Sequence, residues 1–179
     1  AAKGGVTELE TAVDALSSVV NAYGLENIST AESSDLLLTA VRLGKTTFEE
    51  LAGEIYKMAP IAAAVGVPFE NLTASIAVLT SQGVPTAQSA TMLKGALAEL
   101  AKEGTKADIA FREFAGEGLS GFLEGGGTFE EAIMGMAAQA ETAGVSVLDL
   151  FGSVEAGQAI LSLTSDGGAA FSSVLDQMG

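Results

Sequence analysis

Between Gly44 and Thr91 the chain carries two apolar stripes at helical spacing, and any fold it adopts must bury both. Phe48, Leu51, Ile55, Met58, Ala62 and Val65 step by three or four residues, as do Phe69, Leu72, Ile76 and Leu79. That spacing puts each set on one face of a helix, and such a face needs a partner. Thr47 and Glu50 predict a capping box at the first start, hydroxyl and carboxylate each taking a free backbone amide. Pro68 suits the opening of the second helix, where its missing N–H is no loss. Gly44, Gly66 and Gly83 stand where helices stop and are expected as left-handed C-caps. The stretch reads as an antiparallel helical hairpin with a third helix after it.

The same grammar extends along the chain. Val6, Leu9, Val13, Leu16, Val20 and Tyr23 predict a first helix, opened by a Thr7–Glu10 cap and closed by Gly24. Ser29 and Glu32 cap a second through Leu36, Leu37, Ala40, Val41 and Leu43. Pro60 falls inside the third helix, where it removes a backbone bond and crowds the Tyr56 carbonyl, so a kink or break near Met58 is expected. A helix through Ala90, Leu93, Leu97 and Leu100 runs to Gly104, and a short one follows from Lys106 to Phe114. Residues 116–127 contain six glycines and are expected as a flexible loop between residues 1–115 and a C-terminal segment, 128–179, packed on the first part. In that segment Thr128–Glu131 caps a helix with Phe129, Ile133, Met136 and Ala140 inward, ended by Gly144. Helical segments from Val147 to Thr164 and from Ala169 to Met178 are separated at Asp166-Gly167-Gly168. The phrases TFEEL, PFENL and TFEEA share helix-start chemistry at irregular intervals and do not make a solenoid repeat. The fold class is all-α, antiparallel hairpins in a bundle of about seven to nine helices.

Only 6% of the 179 residues are aromatic although 48% are hydrophobic. Small apolar side chains therefore supply much of the core, and helices must approach closely. The net charge is −15; all eight basic residues lie at or before Arg112, and Glu113 onward holds ten acidic residues and no basic one. Such a surface repels phosphate, which argues against direct nucleic-acid binding and against attraction to anionic lipid. No cysteine is present, which excludes disulfides and thiolate chemistry. No initiator Met opens the chain and Ala1 to Gly5 has no apolar leader, so it reads as a piece of a longer protein.

Residues capable of catalysis are sparse. The absence of histidine removes His-based triads and His metal sites. No Ser-x-x-Lys occurs, and Gly118-Leu119-Ser120-Gly121-Phe122 misses the nucleophile elbow at its last position. Residues 116–121 match GxGxxG, but that fingerprint needs a strand before it, and a helix is expected there. Glu49/Glu50 and Glu130/Glu131 each fall in the first turn of an expected helix, where carboxylates favour the dipole. No catalytic, cofactor-binding or metal-binding residue is assigned. Asn71 to Leu93 is uncharged for 23 residues, long enough to span a bilayer, but Gln82, Gly83, Pro85 and Gln88 divide it, so a buried hairpin is expected.

Several segments resemble phage tail tape measure proteins: AVRLGKTTFEELA (Ala40 to Ala52), APIAAAVGV (Ala59 to Val67), LTASIAVLTSQGVPTAQSATML (Leu72 to Leu93) and LDLFGSVEAGQAILSLTSDGGAAFSSVLDQM (Leu148 to Met178). The resemblance is continuous from about Ser33 to Thr91, looser from Lys94 to Gly144, and then returns. It implies a structural virion component acting in tail length determination, tail assembly and genome delivery. The implied location is the tail lumen, with the host cytoplasm during assembly. Implied partners are tail-tube and tail-tip proteins, assembly chaperones and further copies of the chain, with membrane contact during infection. Glu32-Ser33 is similar to the catalytic Glu-Ser pair of lytic transglycosylases, a module some tape measure proteins carry, but lacks its aromatic and Gly-rich surroundings. Straightened into one helix, the chain would measure roughly 270 Å; its Gly and Pro interruptions favour a folded module for anchoring or delivery. Two other expectations stand beside this one: a membrane-active segment that assembles into a channel, and an unrelated helical adaptor.

Overall fold

The computed structural model describes residues 2–179, with side chains from residue 8 onward. Its helices are α1 (Ala2–Tyr23), α2 (Thr30–Leu43), α3 (Phe48–Val65), α4 (Phe69–Ser81) and α5 (Thr86–Ala101). After them come α6 (Lys106–Ala115), α7 (Leu119–Glu124), α8 (Phe129–Ala143), α9 (Val154–Thr164) and α10 (Ala169–Met178), with 3-10 turns at Val147–Leu150 and Ser165–Gly168. No strand occurs among the described residues, and the chain is all-α.

Packing is most extensive between alternate helices. α1 lies along α3, α3 along α5 and α5 along α9; α2 packs on α4, and α4 on α10. Consecutive helices also touch, less extensively. Two rows of helices, together with α6 packed on α8, thus share one core, to which Leu51, Ile55, Leu72 and Leu97 contribute alongside Ile133, Met136 and Ile160 from the C-terminal third. The accessible surface is 8345 Å², close to the roughly 8000 Å² that a folded monomer of this mass exposes. The chain is folded back on itself.

The stripes of α3 and α4 are inward as expected, except that Phe48 is only partly buried. Capping boxes form at Ser29–Glu32, Thr47–Glu50 and Thr128–Glu131. Pro68 and Pro85 occupy the N-cap positions of α4 and α5, one residue before the helices begin. Gly66 is left-handed (φ 87°), and Gly24, Gly83, Gly104 and Gly144 also have positive φ.

Other expectations are corrected. α1 begins upstream of Thr7, so no cap opens the helix there; the side chains of Val6 and Thr7 lie outside the described residues. Leu9 and Val13 face solvent at 65% and 52% exposure, while Ala15 and Val19 are buried. Leu16 and Tyr23 of the expected stripe do pack against the core, partly buried, so the inward face is rotated from the expected one where α1 lies along α3. Gly44 is extended (φ −96°), not left-handed. Its role is clearance: a Cβ there would strike the Thr80 hydroxyl and lie 3.1 Å from the Ala77 Cα, so glycine lets the end of α2 settle on α4.

α3 runs unbroken through Pro60. Pro60 and Tyr56 both face solvent, so water can serve the carbonyl that loses its partner. Residues 116–127 contain α7, whose Leu119 is buried and whose Phe122 meets the Phe111 ring edge-on at 5.5 Å. Helix does not run continuously from Val147 to Thr164; it breaks at 151–153. There Glu99 of α5 accepts bonds from the Gly152 amide (2.6 Å), the Ser153 amide (3.0 Å) and the Ser153 hydroxyl (2.8 Å). Ser153 in turn caps α9 by accepting from the Ala156 amide at 3.3 Å. Gly157 completes the turn, since a Cβ would lie 2.9 Å from the Leu148 Cα.

Candidate functional site

The carboxylates and hydroxyls that could have served chemistry are engaged in holding helix ends. Glu32 Oε2 accepts from the Ser29 amide (2.8 Å) and hydroxyl (2.6 Å), bonds that hold its pKa below the usual carboxylate value. Ser33 is buried and donates to the Ser29 carbonyl at 2.9 Å. Glu32-Ser33 is therefore the first turn of α2, with its hydroxyl turned into the helix. Glu50 and Glu131 accept from the Thr47 and Thr128 amides at 3.3 and 2.8 Å. Glu49 and Glu130, their neighbours, stand in the same first turns. Helix macrodipole and capping account for both pairs.

The GxGxxG stretch joins α6 to α7. Gly116 closes α6 in the left-handed region (φ 79°), and Gly118 precedes α7. Ser120 donates to the Val65 carbonyl at 3.3 Å, tying α7 to the end of α3. Nearby, buried Asp108 accepts from Arg112 Nε at 2.9 Å and from the Gly104 amide at 2.9 Å. That cluster fixes the α5–α6 turn.

Other polar ties run between elements. Thr80 accepts from the Lys45 amide at 3.2 Å and donates to the Ile76 carbonyl at 2.8 Å. Tyr23 donates to the Val67 carbonyl at 2.8 Å, and burial raises its phenol pKa. Among the described residues no buried side-chain nitrogen or oxygen lacks a partner, and no His, Cys, Asp or Glu group is arranged to hold a metal.

Two surface features remain as recognition candidates. One is an open groove of about 500 Å³ where helix ends meet, with Tyr23, Ile28, Leu36 and Phe69 among its lining and Glu32, Asp35 and Glu70 around it. The other is a set of exposed large apolar side chains, Leu9 and Val13 on α1, Leu38 on α2 and Leu25 in the turn between them. Sequence periodicity could not have found either, because both depend on which helix faces the packing leaves uncovered. No helix among the described residues is long and apolar enough to cross a membrane; the uncharged run from Asn71 to Leu93 is divided between α4 and α5.

Comparison with known proteins gives the context. The family described as "Phage-related minor tail protein" matches residues 1–136. The chain is 33% identical over 182 residues to the "Probable tape measure protein" of Clostridium phage phiCD119, a match covering 98% of this chain and 19% of that protein. It is 30% identical over 96 residues to the "Tape measure protein" of Pneumococcus phage Dp-1, covering 54% of this chain and 8% of that protein. The chain thus spans a fifth or less of these relatives' length. No solved structure matches.

Proposed function

Since this chain belongs to the phage-related minor tail protein family, we propose that it is a folded structural module of a tape measure protein. Its work in the tail is assembly, positioning and genome delivery, and it carries no catalytic function. The carrying observation is its compactness: a chain that would span roughly 270 Å as one straight helix is folded back on itself with a surface of 8345 Å². A module in that state contributes little length, so the ruler lies in other parts of the protein. Residues 128–179 act as part of the same body, joined to residues 1–115 through Glu99 and the common core. The partners are tail-tube and tail-tip proteins, assembly chaperones during synthesis in the host cytoplasm, and other copies of the chain in the tail lumen.

The channel alternative is not favoured, because the described helices offer no candidate membrane span. An unrelated adaptor is set aside by the family match. In-frame duplication of this module in the tape measure gene of its phage tests the reading. Tails measured by electron microscopy should lengthen by far less than the span of a straight helix. Lengthening by roughly 270 Å would mean that the module works extended, as part of the ruler.

A further inference from the structure

The groove of about 500 Å³ where helix ends meet has an apolar floor and a charged rim. The floor is drawn from four separate stretches: Tyr23 closes α1, Ile28 precedes α2, Phe69 opens α4 and Met178 ends α10. Leu36 of α2 adds a wall. Contacts within the fold hold these side chains in place. The Tyr23 hydroxyl donates to the Val67 carbonyl at 2.8 Å, and its ring meets Phe69 edge-on at 5.7 Å. The Met178 sulfur accepts from the Thr73 hydroxyl at 3.5 Å. The groove is therefore formed before anything enters it, and its volume falls within the roughly 300–1,000 Å³ of ligand sites. Glu32, Asp35 and Glu70 make the rim, and among the described residues no Lys or Arg lines it. Asp35 and Glu70 belong to neither of the ion pairs among the described residues, Lys57–Glu54 and Arg112–Asp108. The N-termini of α2 and α4 and the C-termini of α1 and α10 all border the groove. Their helix dipoles offset one another, so the three carboxylates set its sign.

We propose that this groove docks a cationic amphipathic segment of another protein, which inserts a large apolar side chain between Tyr23, Leu36 and Met178 and sets Lys or Arg against Asp35 and Glu70. The two parts of the site demand that combination. An apolar anchor gains from leaving water, and it does so on a floor that is already built. An uncharged segment would strip water from the rim carboxylates without pairing them, and an acidic one would set like charges together. Lys and Arg carry an apolar stem as well as a charge, so each covers the edge of the groove while its head reaches the rim. Sign also decides against other occupants. A second copy at net charge −15, a nucleic acid and an anionic membrane all bring negative charge to a negative rim. The chain's overall charge speeds encounter with a basic partner, and the apolar floor confines that partner to this place. The inference gives a chemical class to one partner in the tail reading, yet it stands on the groove alone. Its failure would leave that reading, which is tested by tail length, untouched.

Isothermal titration calorimetry and amide chemical shifts of the 179-residue chain test it with model peptides. The probe is an amphipathic helical peptide of about fifteen Leu and Lys residues. One control peptide replaces each Lys by Glu; a second keeps the composition but scatters the Leu so that no apolar face forms. The probe should bind with a Kd of about 10–100 μM at low salt, weaken as salt is added, and shift the amides of the groove residues. Both controls should bind at least about tenfold more weakly. Neutralising the rim with Asp35→Asn and Glu70→Gln should weaken the probe about tenfold. Glu103→Gln with Glu141→Gln makes the same change in net charge at exposed positions outside the groove, and should leave affinity within about twofold. Leu36→Ser should also weaken binding, with circular dichroism confirming the fold; the two charge pairs decide the matter if that variant unfolds. No binding up to about 1 mM overturns the proposal. So does an equal loss from the two pairs of neutralisations, or a scattered peptide that binds as well as the probe, since either result means unspecific charge attraction.

Discussion

Glu99→Ala is the most informative single substitution, because one carboxylate on α5 organises a helix start more than fifty residues away. Its two oxygens accept three bonds, at 2.6 Å from the Gly152 amide, 3.0 Å from the Ser153 amide and 2.8 Å from the Ser153 hydroxyl. Bonds to a charged acceptor contribute up to about 1.5–3 kcal/mol each when buried. Here Gly152 is exposed and Glu99 half-buried, so water replaces part of what is lost. A conventional N-cap is worth roughly 0.5–2 kcal/mol, and this one also holds α9 against α5. About 2 kcal/mol is the reasoned loss. For a domain of this size each kcal/mol moves the midpoint by about 2–4 °C, so Tm should fall by roughly 4–8 °C. Glu99→Gln keeps the shape and one good acceptor and should lose about half as much. Amide hydrogen exchange supplies the local readout: residues 152–157 should lose protection while α2 and α3 keep theirs. A Tm within about 1 °C of the parent, with protection at 152–157 unchanged, would refute the claim that this cap fastens the C-terminal third.

Leu72, buried to 1% exposure, should cost about 2–5 kcal/mol when truncated to Ala, measured by urea denaturation; less than about 1 kcal/mol would mean the α4 stripe is not core. Gly44→Ala should lose about 1–3 kcal/mol by overpacking, because its new methyl meets Thr80 and Ala77 while its φ of −96° suits alanine. Gly53→Ala, on α3 with nothing within 4 Å of the added methyl, should instead gain about 0.5–1 kcal/mol from helix propensity. Equal effects at the two glycines, read from the same denaturation curves, would contradict the clearance argument.

Much of the helix plan was legible because stripes, caps and terminal glycines agreed at each site. Thr47–Glu50 and Thr128–Glu131 name helix starts from local chemistry alone, and the backbone follows them. What stayed hidden depended on partners distant in sequence. The α1 stripe suggested that its larger side chains point inward, but the packing of α1 buries Ala15 and Val19 and leaves Leu9 and Val13 in solvent. Gly44 carries the residue type of a left-handed cap and serves instead as clearance for α4. The break at 151–153 follows from Glu99, a side chain on another helix that no local pattern announces. For the candidate site, cap chemistry already explained the paired glutamates. The groove lined by Tyr23, Ile28, Leu36 and Phe69 became visible only once the fold brought α1, α2 and α4 together there.

The account depends above all on the chain holding itself in two short rows of helices. Small-angle X-ray scattering of the 179-residue chain tests that most directly. A radius of gyration near 16 Å for the monomer at dilute concentration is the predicted result. A profile belonging to a rod roughly 270 Å long would contradict it.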